Sequence, residues 1–250
     1  MNNNGHWYRT NGEPCFEVPN KSKGGMRPTT LKDAKTLGLL PSVTTLFRVL
    51  NKPELENWKH RQVALAALTF PHAPGEDDQA FIERVIVDAF EQVQDAADLG
   101  TQIHKAIELH FKGQGYAPEM KPYVEAVDSL LRSEGVSVHQ NEIRVVGEGY
   151  AGTTDAAGEK GGKSCIVDFK SRKTKAGQKC TPWSTEPIQI AAYANPWGAK
   201  IGANLYISTT EPGRVEIVWY DEETLKKAWE AFTHIQWLWS YQNDYWPKNN

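Results

Sequence analysis

Hydrophobic spacing predicts that the first part of the chain is mainly helical. Between Phe81 and Val93, apolar residues recur near the 3.6-residue period, so Glu76 to Lys112 is predicted to be helical, with a division at Gly100 as one option. Shorter helices are predicted at 31–37, 42–50, 53–70 and 120–133, from their Pro, Ser and Gly boundaries. Residues 1–28 mix aromatics with Asn, Gly and Pro, which indicates a short hairpin or an extended arm.

After Gly135 the pattern changes to short apolar runs typical of strands. Strands are predicted at 136–146, 149–158, 164–169, 201–208 and 214–219, with a helix at 187–194. A closing helix is predicted to begin after Asp221, a suitable N-cap, and to end near Tyr241. The order predicts one compact α/β domain over 1–250, with a mainly helical part at 1–95 and an α/β core at 96–250.

The stretch from Ala151 to Lys173 predicts a β-hairpin that carries chemistry. Gly161-Gly162 suits a two-residue type I′ turn, because both central positions need positive φ. If Lys160 and Lys163 flank that turn, Asp155 lies across from Asp168. Lys170 is two residues further along its strand and shares their face. One face of the hairpin then gathers two carboxylates and an amine.

Two facing carboxylates repel unless a cation lies between them, and oxygen ligands of this kind hold divalent cations. The alternative is a surface ladder of like charges, which would be mildly destabilising. The pair alone leaves both interpretations open. Cys165-Ile166-Val167 leads into Asp168 as a buried strand, where an unpaired carboxylate is costly, and this favours the metal site.

Composition changes this picture only locally. The net charge of −3 argues against a protein that coats nucleic acid, yet the segment from Lys160 to Lys179 is strongly basic. The three cysteines are odd in number, lack CxxC spacing and favour a reducing compartment. The chain shows no apolar run of membrane-span length and no secretory signal pattern, so we expect a cytoplasmic protein that does not contact membranes, in the host cytoplasm if the source is a phage.

Four motifs resemble the PD-(D/E)XK nuclease superfamily, in particular its RecB-like exonuclease branch. They are Gly100-Thr101-x-x-His104-x-x-Ile107-Glu108, Gly152-x-x-Asp155, Ile166-Val167-Asp168-Phe169-Lys170 and Gln189-x-x-x-Tyr193, in the order of that branch. Residues 41–63 also resemble the N-terminal region of bacteriophage and mitochondrial single-strand exonucleases. The resemblance implies a restriction-endonuclease-like core, a central mixed sheet flanked by helices, with a helical N-terminal half. Thr154 replaces the proline of the PD signature.

The resemblance implies a role for each matched residue. His104, Asp155 and Asp168 would be metal ligands, with the Phe169 carbonyl oxygen as a fourth. This donor set favours Mg²⁺ or Mn²⁺ over structural zinc. Lys170 would orient or help to deprotonate the attacking water and offset charge in the transition state. The four cysteines of the iron-sulfur members are missing, so no cluster is expected.

The remaining matched residues would act around these ligands. Gln189 and Tyr193 share a helix face and would contact the substrate phosphate or brace Lys170, with a buried polar pair as the alternative. Glu108 lies one turn beyond His104 and would bond its second ring nitrogen or approach the metal through water. Glu142 resembles an acid that this branch carries before the Gly-x-x-Asp motif.

Basic and aromatic residues next to the hairpin predict DNA contacts. Arg172, Lys173 and Lys175 suit a groove that follows phosphates, and Trp183 is a candidate for base stacking. Core packing is the expectation for most of the aromatic residues Trp229, Phe232, Trp237 and Trp239 on the closing helix.

The motifs together predict a metal-dependent deoxyribonuclease, with single-stranded DNA ends as substrate and 5′-phosphate products. A structure-selective or sequence-specific endonuclease on the same core is the alternative enzyme. A catalytically silent DNA-binding recombination accessory protein is the alternative from another class. The resemblance also implies a recombinase, a single-strand-binding protein or a helicase as protein partners, and any unwinding motor would be a separate chain.

Overall fold

A computed structural model describes residues 5–20, 24–50 and 53–248, with side chains for all of these except 53–55 and 90–97. The helices are α1 (Leu31–Leu37), α2 (Val43–Leu46), α3 (Pro53–Thr69), α4 (Asp78–Phe111), α5 (Lys121–Ser133), α6 (Glu186–Trp197) and α7 (Glu222–Asn243). The strands are β1 (Trp7–Tyr8), β2 (Glu17–Pro19), β3 (Met26–Pro28), β4 (Leu40–Pro41), β5 (Val136–Gly147), β6 (Tyr150–Lys160), β7 (Lys163–Arg172), β8 (Ile201–Ser208) and β9 (Val215–Tyr220). Short 3₁₀ turns lie at Phe47–Val49 and Pro118–Met120.

The central sheet has the order β5-β6-β7-β8-β9. Its only parallel pair among the described strands is β7 with β8, and α6 makes the crossover between them. The other neighbours are antiparallel and are joined in sequence, which short connections allow. The predicted mixed sheet flanked by helices is confirmed.

Two layers of helices bury the two faces of this sheet. Alternating residues of β7 point to opposite faces, so Val167 packs beneath α4 and α5, and Ile166 packs beneath α6 and α7. Ile103 and Ile107 anchor α4 on its side, and both are fully buried. The β6–β7 hairpin is therefore fixed from above and below by apolar contacts.

Polar caps set where several helices begin, and the cap at Asp221 was predicted. The Asp221 side chain accepts from the Thr224 amide at the start of α7, and Asp77 accepts from the Ala80 amide at the start of α4. Thr30 and Asp33 form a capping box at α1, and Gly38 ends that helix in the left-handed conformation. Among the described residues, no helix has both the length and the apolar character that a membrane crossing requires.

The N-terminal part differs from the prediction in two ways. It contains a pair of strands, β1 with β4, that was not predicted, in addition to the pair of β2 with β3 that the predicted hairpin implies. Gly100 does not divide the long helix: α4 runs continuously from Asp78 to Phe111 and crosses the expected boundary at residue 95. One glycine lowers helix stability only modestly, and Gly100 packs closely against Ser171 of β7.

Candidate active site

The Gly-Gly turn and the register of the hairpin follow the prediction. Gly161 and Gly162 have φ values of 56° and 75°, and Lys160 pairs with Lys163. Pairing continues as far as Ala156 with Val167, so the next position along places Asp155 beside Asp168. The predicted juxtaposition of the two carboxylates on neighbouring strands is confirmed.

The same row continues across the sheet. On β5, Asn141 pairs with Ala156 and Ile143 pairs with Thr154, which places Glu142 opposite Asp155. On β8, Asn204 pairs with Asp168. Glu142 adopts a φ of 50°, a left-handed conformation that is unfavourable for a residue with a side chain. Three acids and an amide thus occupy one row on four adjacent strands.

Asp168 is the most enclosed of these acids, at 5% exposed. Its Oδ2 lies 2.5 Å from Lys170 Nζ, and Asn204 Nδ2 donates to the same oxygen at 3.4 Å. Burial raises the pKa of Asp168, Lys170 opposes this rise, and the charge of Asp155 adds to it. Burial lowers the pKa of Lys170, but attraction to Asp168 outweighs that effect and leaves the pKa above its usual value.

Asp155 is held by two donors. Phe169 N–H donates to its Oδ2 at 2.6 Å, and His104 Nδ1 lies 3.2 Å from its Oδ1. The His104 ring also meets the Phe169 ring edge-on, with centroids 6.1 Å apart. Burial lowers the pKa of His104, but the hydrogen bond and charge of Asp155, together with Asp168, leave it raised. His104, predicted from a motif about fifty positions upstream, therefore belongs to this site.

A chain of hydrogen bonds links Lys170 to α6. Lys170 Nζ donates to Gln189 Oε1 at 2.9 Å, and Gln189 Nε2 donates to Tyr193 OH at 3.0 Å. Tyr193 is buried, and burial first and then the charge of Asp168 raise its pKa well above the usual value. The arrangement matches the bracing of Lys170 that was predicted from the motif.

The glycines of two motifs have a steric reason. A Cβ on Gly152 would lie 2.7 Å from Cε1 of Tyr193, so only glycine lets that ring pass close to β6. A Cβ on Gly100 would lie 3.3 Å from Cβ of Ser171, so α4 packs close to β7 there. Both contacts bring helix side chains within reach of the carboxylate row.

The residue types of this row, carboxylates beside one imidazole, are ligands that a hard divalent cation accepts. Burial raises the pKa of Glu142, the charges of Asp155 and Glu108 raise it further, and His104 and Lys112 oppose the rise. A cation would relieve that repulsion. Among the described side chains, no three His, Cys, Asp or Glu groups converge into a closed cluster that could hold an ion. His104 and Phe169 N–H occupy the Asp155 oxygens instead.

Comparison with known proteins gives one informative match. Mitochondrial genome maintenance exonuclease 1 of Mus musculus is 28% identical over 196 residues, which cover 72% of this chain and 52% of the relative. The chain thus spans about half the length of that curated relative. The chain is thus similar to an exonuclease, in agreement with the reaction class that the motif resemblance implies. No protein-family model matches the chain.

Solved structures show only weak likeness. An alkaline exonuclease (LHK-Exo) from Laribacter hongkongensis is 14% identical, with a TM-score of 0.33, over 58% of this chain and 83% of that chain. LHK-Exo in complex with dAMP is 13% identical, with a TM-score of 0.35, over 73% and 87% of the two chains. These scores are too low to support a conclusion.

Glu108 does not bond the His104 ring, which is one of the two roles that the motif resemblance implies for it. Its Oε2 pairs with Lys105 at 2.8 Å and its Oε1 pairs with Lys112, so neither oxygen bonds the His104 ring. These partners lie three and four residues away on the same helix, where side chains meet readily. Glu108 approaches the carboxylate row only through its charge, which raises the pKa of Glu142.

Arg172 is not the open phosphate-binding cation that its position in the basic run predicts. Its guanidinium pairs with the buried carboxylate of Glu186, and its Cζ lies 4.4 Å from the Trp183 ring centroid and 4.6 Å from that of Tyr206. A buried carboxylate is costly without a paired cation, and Arg172 supplies the charge. Glu186 also accepts from Tyr206 OH at 2.7 Å.

The other predicted DNA contacts have the expected exposure. Lys173 and Lys175 are exposed, and Trp183 is 44% exposed, with Arg172 covering part of its ring. The loop that carries the lysines is fixed by Arg214, which donates to the Lys175 carbonyl oxygen at 2.9 Å. DNA binding by these residues stays a prediction.

Several residues near the site were not found from the sequence. Tyr8 of β1 places its OH 3.2 Å from Thr153 Oγ1, inside the Gly-x-x-Asp motif, and Asn204 bonds Asp168. Neither lies in a recognisable motif, and only the folded topology brings them close.

On the closing helix, Phe232 and Trp239 are buried as predicted, but Trp237 is 57% exposed and stacks on Tyr241.

Proposed function

We propose that the chain is a metal-dependent deoxyribonuclease that degrades single-stranded DNA from its ends and leaves 5′-phosphates. The observation that carries this proposal is that Lys170 contacts both Asp168 and Gln189. On the neighbouring strand, Asp155 lies beside Asp168 and contacts His104 of α4. The exonuclease relative supports the reaction class.

Asp155, Asp168 and His104 are the residues that would hold Mg²⁺ or Mn²⁺, with the Phe169 carbonyl oxygen as a further donor. The bound ion would supply an activated water and neutralise charge on the phosphate. In hydrolysis the water oxygen bonds to phosphorus, the P–O3′ bond breaks, the 3′ oxygen takes a proton and the phosphate stays on the 5′ oxygen.

Lys170 is the group of this chain that is best placed to act on the phosphate. Two acceptors, Asp168 Oδ2 and Gln189 Oε1, fix its ammonium in direction as well as position. A preoriented ammonium stabilises charge that develops on phosphate oxygens without a reorganisation cost. Gln189 is itself held by Tyr193, so α6 acts as a positioning element for Lys170.

The α3–α4 hairpin supports a preference for ends. α4 carries His104 at the site and extends away from it, with α3 folded back along its first half. Such a hairpin beside the site would admit a flexible single strand by threading and would hinder a duplex. An endonuclease on the same core is the second candidate, because the chemistry of the site is independent of how the strand enters.

An oligonucleotide assay tests the proposed reaction. Wild type should degrade a single strand labelled at either end in Mg²⁺ or Mn²⁺, and Asp168→Asn should lose this activity because it removes one predicted ligand charge. Asp128→Asn, which removes an equivalent charge from α5, serves as the matched control. Equal degradation by Asp168→Asn and wild type would overturn the proposal.

A further inference from the structure

A groove on α3 has the chemistry of a nucleotide-binding surface. It has a volume of about 700 Å³ and is lined by Asn57, Trp58, His60, Arg61 and Ala64. All five lining residues lie on α3, and the space beside them is open to solvent. Trp58 is half-buried and offers an indole face, the small Ala64 leaves room beside it, and the other side chains supply a cation and hydrogen-bond donors.

The charge of this groove comes chiefly from Arg61. No described side chain forms an ion pair with the exposed Arg61, whereas the neighbouring Lys59 is paired with Glu56 at 2.9 Å. Lys59 is also not among the lining residues. Arg61 and Lys59 are therefore in different environments although they are two positions apart on one helix. Arg61 lines the groove, whereas Lys59 forms an ion pair on the helix surface.

The groove lies between the tip of the hairpin and the active site. Ala66 of α3 packs with Val85 and Ala89 of α4, and the two helices are joined by the turn at 70–77, so α3 runs back towards the half of α4 that carries His104. Trp58 is eight residues before Ala66. At 1.5 Å per residue, it lies about 13 Å along the helix axis from the level of His104. About four nucleotides cover that span at the duplex spacing per strand.

We infer that this groove is a nucleotide subsite of the enzyme, in which Trp58 stacks on a base of single-stranded DNA and Arg61 contacts a backbone phosphate. The choice of strand rests on the proposed function. Stacking on an aromatic ring tolerates any base, and a guanidinium binds phosphate without reading sequence. The subsite would hold the strand a few nucleotides from the reacting phosphate.

Binding measured without hydrolysis tests the stacking contact. In EDTA, with a fluorescent single strand of about 12 nucleotides, Trp58→Leu should raise Kd about tenfold or more, and Trp58→Phe should retain most of the affinity. Trp237→Leu removes an exposed tryptophan on α7 and should leave Kd unchanged. An unchanged Kd for Trp58→Leu, in a protein with the wild-type melting temperature, would overturn the subsite.

The salt dependence of binding tests the phosphate contact. Arg61→Gln should lower the slope of log Kd against log salt by about 0.7, the value for one phosphate contact on a single strand. Lys59→Gln removes the same charge from the same helix outside the groove and should leave the slope unchanged. Equal slopes for Arg61→Gln and Lys59→Gln would contradict the phosphate contact of Arg61. Binding of a protein in the groove in place of a DNA strand would also contradict it.

Failure of the subsite and failure of the nuclease proposal give different results. If the subsite is correct, Trp58→Leu hydrolyses a dinucleotide at the wild-type rate and long strands more slowly at low concentration. If the chain binds strands through Trp58 but wild type cleaves none in Mg²⁺ or Mn²⁺, the subsite stands and the nuclease proposal fails. If wild type cleaves strands and Trp58→Leu binds them equally well, the nuclease proposal stands and the subsite fails.

Discussion

The sheet that carries the acidic row and the α3–α4 hairpin are built in opposite ways. In the sheet, Asp168 and Lys170 lie within a continuous set of polar contacts that reaches Gln189 of α6, and helices cover both faces of the sheet. The described part of the hairpin has a small core of Ala66, Val85 and Ala89. It leaves large apolar side chains in solvent, among them Leu65, Leu68, Ile82 and Val87.

In the proposed nuclease, the two regions would divide the tasks of catalysis and strand binding. Chemistry needs groups held within fractions of an ångström, and the sheet supplies this through buried contacts. Guiding a flexible strand needs an accessible surface that tolerates many sequences, and the exposed hairpin suits that task. We therefore expect substitutions in the sheet to affect the chemical step or the fold, and substitutions in the hairpin to affect strand binding.

The largest effect is expected at Lys170. Lys170→Gln should lower kcat on single-stranded DNA by about 10²- to 10⁴-fold, because it removes a preoriented cation from the reacting phosphate. Lys173→Gln removes the same charge from an exposed position three residues on and should raise KM more than it lowers kcat. Steady-state kinetics on one labelled strand would measure kcat and KM for both variants. A kcat for Lys170→Gln close to the wild-type value would contradict the proposal that the sheet carries the chemical step.

Stability provides the second test of the comparison. Leu205 is fully buried in the sheet core, so Leu205→Ala should lower the free energy of unfolding by about 2–5 kcal/mol. Leu68 is 83% exposed on the hairpin, and Leu68→Ala should change the free energy by less than about 0.5 kcal/mol. Urea unfolding measures both values, and comparable losses would show that the hairpin is more tightly packed than its exposure indicates.

A smaller effect is expected from one methyl group at Gly152. The Cβ of Gly152→Ala would clash with the Tyr193 ring. Moving the ring away would lower the free energy of unfolding by about 1–3 kcal/mol and would disturb the hydrogen bond of Tyr193 with Gln189. Hydrolysis should fall together with stability. Gly115→Ala is a matched control, because a Cβ there meets no atom within 4 Å. Wild-type activity of Gly152→Ala would show that the contact between Tyr193 and β6 does not position Lys170.

The smallest effect concerns Thr154, which occupies the position of the signature proline. Its Oγ1 is buried without a hydrogen-bond partner among the described residues. Thr154→Val replaces that hydroxyl with a methyl group of similar size and should raise the free energy of unfolding by about 1 kcal/mol. Thermal melting would reveal this increase, and destabilisation would mean that the hydroxyl has a partner, such as water.

Local rules were sufficient to predict much of the fold. The bounds of β8 and α1 and the N-cap at Asp221 agree with the prediction, because each depends on residues next to it in sequence. The pairing of Asp155 with Asp168 also follows from a single tight turn. The continuity of α4 through Gly100 was less predictable, since it depends on the packing of that helix against β7.

Contacts between distant segments account for the rest of the site. The resemblance led to His104, but its contact with Asp155 depends on how α4 crosses the sheet. The pairing of Arg172 with Glu186 could not be predicted, because Glu186 and Tyr206 reach it only in the folded chain. Asn204 became part of the row through the parallel pairing of β7 with β8, which the local pattern does not specify.

The central claim is that this site hydrolyses single strands from an end with the help of a metal ion. Its most direct test is to incubate wild type with a linear single strand and with a covalently closed circle of the same sequence, in Mg²⁺ and in EDTA. The account predicts that the linear strand is degraded in Mg²⁺, that the circle stays intact, and that EDTA protects both. Cleavage of the circle, or degradation of the linear strand in EDTA, would contradict it.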